Sequence, residues 1–200
     1  SMMLIEETTV PDAALPVEAF KAHLRLSSGF GQDDVQDAVL KSFLRAAMAA
    51  IEARTGKVLI TRSFSWSLTF WRDASAQTLP VAPVIAVTRV ALVARDGVAT
   101  DVDPKTYWVE RDVQQPKVRS TGATLPGIPS AGAVLIEFEA GYGRMWDDLP
   151  VDISQAVLML AAHYYEFRSD TGLSDGSMPF GVSSLIERFK TMRIGMGAGR

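Results

Sequence analysis

The stretch LPVDISQAVLMLAAHYYEFRSD, residues 149–170, constrains the fold more than any other part of the chain. Between Ile153 and Tyr165 only Ser154, Gln155 and His163 are plainly polar, so the segment predicts a helix that is apolar on nearly every side. Such a helix must be surrounded. No apolar run in the chain reaches the length of about 20 residues that crosses a bilayer, so the cover cannot be lipid. It must come from other helices and a sheet of the same chain, or in part from a neighbouring subunit. Pro150 and Asp152 fit a helix start, and Gln155 follows Asp152 at capping-box spacing.

Other helices are legible. In ALPVEAFKAHLRLSS, Pro16 suits a first turn, and Val17, Phe20 and Leu24 recur at helical steps. GQDDVQDAVLKSFLRAAMAAIEARTGK opens on Asp33 and Asp34 and closes on Arg54 before Gly56, the charge placement and stop signal of a long helix. Leu44 and Ile51 lie on its apolar stripe, and Ala46, Ala47, Ala49 and Ala50 permit close approach by another helix or a second subunit. VSSLIERFKTMR predicts a short last helix with Leu185, Ile186 and Phe189 on one side. The glycine-bearing SDTGLSDGSMPFG precedes it as a linker, and IGMGAGR follows as a tail.

At residue 58 the period changes to two. Phe64, Trp66, Leu68 and Phe70 alternate with Ser63, Ser65, Ser67 and Thr69, the mark of an antiparallel strand. Asp96-Gly97 supplies a hairpin turn after a β-branched strand. TYWVERD, KVRS and AVLIEFEAGYG predict further strands, and VRSTGATLPGIPSAG a loop with Leu125 and Ile128 as exposed apolar tips. The expected class is α+β: a bundle of about four helices interrupted by an antiparallel β-rich insertion. The boundaries are residues 1–57 for N-terminal bundle helices, 58–143 for the insertion, 144–170 for the central helix and 171–200 for linker, short helix and tail.

Chemistry is sparse. The chain has no cysteine, which excludes thiol chemistry and thiolate metal sites and fits a reducing compartment. His23 and His163 lie in different helices without metal-ligand spacing, and neither a nucleophile elbow nor a phosphate-binding loop occurs. Asp101 and Asp103 read as a turn before Pro104 rather than a cation site. No catalytic, cofactor or metal residue is expected. The net charge of −3 argues against general phosphate binding, and the basic cluster Arg188, Lys190 and Arg193 reads first as a solvated helix end. The start SMMLIEETTV lacks a secretory pattern, and Ser1 before Met2 reads as a cloning remnant.

In their order along the chain, AFKAHLRL, AVLKSFLRAAMAAIEARTGKVL, LPVAPVIAVTRV, EFEAGYG, LPVDISQAVLMLAAHYYEFR and PFGVSSLIERFK resemble the head-tail connector, or adaptor, proteins of tailed phages and gene transfer agents. The resemblance implies a structural protein without catalytic role or cofactor. It implies a ring of copies, usually twelve, placed under the portal protein at the particle neck and continuing the DNA channel toward the tail. Its partners would be the portal, neighbouring copies, stopper or tail-completion proteins, and DNA passing without sequence-specific binding. Assembly would occur in the bacterial host cytoplasm, away from membranes.

By position in the last segment, the resemblance makes Leu185, Ile186, Arg188, Phe189, Lys190 and Arg193 the portal-docking candidates. Leu44, Ile51, Val157, Leu160, Tyr164 and Phe167 are candidates for the core or a subunit contact. A stopper or tail-completion protein is the alternative reading, with a small enzyme of dispersed site behind it. A deep polar pocket holding His23 or His163 beside carboxylates would mark the enzyme.

Overall fold

The computed structural model describes residues 2–27, 37–168 and 178–191. In chain order its elements are β1 (Met2–Glu6), α1 (Val17–Ser27), α2 (Asp37–Thr55), β2 (Arg62–Leu68), β3 (Ala76–Thr78), β4 (Val84–Val93) and β5 (Ala99–Asp101). There follow β6 (Tyr107–Glu110), β7 (Lys117–Ser120), β8 (Ala133–Ala140), α3 (Val151–Glu166) and α4 (Phe180–Ile186). The α+β class stands, with four α-helices and antiparallel sheets among the described residues.

The apolar helix is central. α3 packs against α1, α2 and α4, and Ile153, Ala156, Val157, Leu160 and Ala161 are fully buried. α2 meets it with Leu40, Leu44, Ala47 and Ile51, also fully buried, while Ala46 and Ala49 stay exposed. The ring of Phe43 meets Tyr165 edge-on at 6.2 Å, a favoured aromatic geometry. Pro150 caps α3 without a side-chain hydrogen bond, so the expected Asp152–Gln155 capping box does not form. Asp152 is instead engaged by Arg188. Asp33 and Asp34, expected at the start of α2, lie outside the described residues, as do the linker 169–177 and the tail 192–200.

A second core lies between two antiparallel sheets. The larger runs β1-β2-β8-β4-β5 and the smaller β3-β7-β6. Phe64, Trp66 and Leu68 of β2 stand opposite Phe138, Ile136 and Val134 of β8, and all six are buried, as the period of two requires. Phe64 and Phe138 stack at 5.5 Å. The hairpin forms as expected: Gly97 has φ 88°, and the Ala94 N–H donates to Val98 O at 2.9 Å.

Two further sequence expectations are corrected. Leu125 is buried, at 6% exposure, and Ile128 packs against the same core, so neither is an exposed tip. The loop is held over the sandwich by the Leu125 N–H to Ala74 O at 2.7 Å and the Trp71 indole N–H to Pro126 O at 2.8 Å. Further, Met2–Glu6 form a strand of the large sheet, so residues 1–57 supply β structure as well as bundle helices. Gly141 carries the chain from sheet to bundle with φ 140°, where an added Cβ would lie 2.5 Å from Thr61 Cα. That position needs glycine.

Candidate interaction surfaces

The last segment folds onto the bundle. Val182, Ile186 and Phe189 recur at four- and three-residue steps and turn inward, with Val182 and Ile186 fully buried and Phe189 at 8% exposure. Leu185 is half-buried against the same core. Gly181 faces α3 so closely that an added Cβ would come within 2.9 Å of Met159 Cε. Leu185, Ile186 and Phe189, read from the sequence as portal-docking candidates, pack here against this chain's own bundle. An amphipathic stripe is covered by the nearest apolar surface, and here that is α3.

The charged candidates point elsewhere. Arg188 is exposed, bridges to Asp152 at 3.0 Å and lies 4.2 Å over the Phe189 ring. Lys190 pairs with Glu187 at 3.0 Å, and Arg193 lies outside the described residues. Phe180, at the start of α4 and 87% exposed, was not singled out by sequence reasoning. A phenylalanine right after proline, at the first position of a short helix, carries no periodic signal.

Leu44, Ile51, Val157 and Leu160 are all fully buried core residues. Tyr164 is half-buried against the bundle core. Phe167 is exposed at the end of α3, its ring 4.8 Å from His163.

Two polar nodes tie the bundle to the sandwich. Arg62, buried at the start of β2, bridges Glu6 at 3.0 Å and Glu52 of α2, while Glu52 also accepts the Leu59 N–H at 2.8 Å. Burial pushes the Glu52 carboxyl up from its ordinary range, against the pull of Arg62 and Leu59. The second node is Lys57, whose Nζ donates to Gln114 Oε1 at 2.9 Å and Thr191 Oγ1 at 3.1 Å. Burial pushes the Lys57 ammonium down, opposed by Asp112. Thr191 N–H donates to Thr55 O at 3.0 Å, so the end of the described chain is pinned where α2 stops.

The sandwich exposes several large apolar side chains. Phe70 is 56% exposed, Trp108 48% and Val113 64%, and all of β1 is exposed. An open cleft of about 470 Å³ lies between β5 and the 120–126 loop and includes Asp101 and Asp103. Both carboxylates are engaged: Asp101 accepts from Arg89 at 2.7 Å, and Asp103 accepts the Lys105 N–H at 2.9 Å. His23 and His163 do not line this cleft. Among the described residues no cluster of histidine, cysteine or carboxylate side chains is placed to hold a metal.

Two cores joined by polar contacts, with exposed aromatic side chains and an exposed apolar sheet edge, are the marks of a contact-making protein. No protein-family model matches the chain, and no curated protein matches it. Solved structures do. A chain from the neck of an empty gene transfer agent particle, computed with C6 symmetry, is 50% identical over 98% of this chain and 100% of its own, with a TM-score of 0.86. A chain of the native gene transfer agent virion is 50% identical over 98% of each, with a TM-score of 0.88. A third, from the native neck computed with C12 symmetry, is 48% identical over 98% of this chain and 100% of its own, with a TM-score of 0.84. The chain belongs to this family, the head-tail connectors of gene transfer agent necks.

Proposed function

We propose that this chain is the adaptor of a particle neck. Copies form a ring on the portal protein, extend its DNA channel and join the head to the tail of a gene transfer agent or related phage, after assembly in the host cytoplasm. The observation that carries the reading is the near-complete likeness to neck chains of particles with cyclic symmetry.

The physics is that of association. A symmetric portal brings neighbouring copies to high effective concentration, so subunit contacts too weak to hold in free solution close on that template. Of the sequence candidates for docking, Arg188 is exposed and Lys190 half-buried, and Phe180, exposed at the start of α4, offers an apolar anchor. The weak net charge of −3 suits a channel through which DNA slides, because a strongly basic lumen would hold phosphates in a salt-dependent manner.

The test is to mix the purified protein with its cognate portal and image the product by electron microscopy. A ring capping the narrow end of the portal is the expected result. Two well-folded proteins that form no complex would instead favour a stopper or tail-completion role, and retention of duplex DNA by the purified ring at moderate salt would refute the sliding-channel argument.

A further inference from the structure

β1 closes one edge of the large sheet, and its first four residues, Met2 to Ile5, form an apolar row. The Glu7 N–H donates to Ser63 O at 2.8 Å. Hydrogen-bonded and open pairs alternate along an antiparallel ladder, so Ile5 opposite Ser65 and Met3 opposite Ser67 are also bonded pairs. The backbone N–H and C=O groups of Met2, Leu4 and Glu6 therefore point away from β2, off the edge of the sheet.

The side chains add an apolar surface to this row. Met2 and Leu4, opposite Leu68 and Trp66, continue the face that carries the sandwich core, while Met3 and Ile5 stand on the opposite face. All four are between 40% and 58% exposed.

Free sheet edges are normally blunted by bulges, proline, charge or shortness. The other edges here show those devices. β4, which β5 covers only from Ala91 to Val93, follows Pro83 and carries register shifts between Val84 and Ala86 and between Val87 and Arg89 in its uncovered part. β5 and β3 have three residues each and β6 has four. β1 is five residues long and ends in Glu6 before Glu7, but from Met2 to Ile5 it has no proline, no charge and no bulge.

We infer that β1 is a ring contact, on which a neighbouring copy of this chain lays an extended segment. The segment pairs with the outward backbone groups of Leu4 and Glu6 and covers the apolar side chains on both faces. This rests on the adaptor reading above. Cyclic closure requires a heterologous contact, in which one patch of each copy meets a different patch of the next. A bare edge repeated on every copy supplies one half of such a contact, and strand addition gives it backbone affinity and a set register.

Leu4→Pro tests the pairing cleanly. The lost N–H is one that β2 does not use, and proline is tolerated at a sheet edge whose N–H faces solvent. The variant should keep the free subunit's Tm and fold while ring formation on the portal falls by at least about tenfold. The double variant Met3→Lys with Ile5→Lys, altering exposed side chains only, should do the same. A photo-reactive amino acid at Met3 in assembled necks should cross-link to a second copy of the chain.

Rings that close at wild-type yield with both variants would overturn the strand contact and leave the adaptor reading standing, as would a cross-link only to a different neck protein. A wild-type chain that forms no ring on the portal would overturn both readings.

Discussion

Ile186→Ala separates a packed last helix from a free docking arm. Ile186 is fully buried against α3, and the substitution deletes three carbons. At about 0.8 kcal/mol per buried methylene the transfer loss is about 2.4 kcal/mol, and the unfilled cavity raises the total to about 3 to 4 kcal/mol. In a chain of this size each kcal/mol lowers Tm by roughly 2 to 4 °C, so a fall of roughly 6 to 16 °C is expected. Phe180→Ala, at an 87% exposed position on the same helix, should change stability by less than about 0.5 kcal/mol yet weaken portal capture. Thermal denaturation followed by circular dichroism, beside pull-down on immobilised portal, reads both quantities. If Ile186→Ala kept the wild-type Tm while losing portal binding, α4 would be a free arm in solution and the inward packing argued here would be wrong.

Removing Arg62 should strand a buried carboxylate. Arg62→Met is expected to cost about 3 to 5 kcal/mol at pH 7. Glu52 has a folded pKa raised above 4.5, so its contribution to stability is present below about that pH and is lost as pH rises through the raised value. Without Arg62 the carboxyl rises further, so urea denaturation should show the variant's deficit shrinking as pH falls from 7 toward the ordinary carboxylate range, and a deficit independent of pH would contradict the account. Gly141→Ala should cost more than about 2 kcal/mol, because a Cβ meets Thr61 backbone at a φ reserved for glycine. Gly97→Ala, with φ 88° but open space around it, should cost only about 1 kcal/mol, and equal losses by chemical denaturation would refute the steric part of the argument.

Period and punctuation made most elements legible. The helical stripe of Leu44 and Ile51, the alternation from Phe64 to Leu68, the Asp96-Gly97 turn and the all-round apolar segment from Ile153 each announce a local conformation, because backbone hydrogen bonding sets side-chain spacing regardless of what lies opposite. β1 was missed for the same reason, since Met2 to Ile5 is apolar throughout and shows no alternation. Its identity as a strand comes from β2, far away in sequence.

The candidate surfaces were less legible than the fold. Sequence showed that Leu185, Ile186 and Phe189 share a side, and only packing showed that α3 covers it. Leu125 sits in a loop by every local signal, yet the second core buries it. The sorting of strands into two sheets, the Arg62–Glu52 node and the bare edge at β1 were likewise decided by tertiary structure. The sequence by itself determined which segments are helix or strand and that their apolar faces must be covered. Tertiary structure decided what covers each face, because burial has no direction of its own and takes its partner from the geometry of the whole chain.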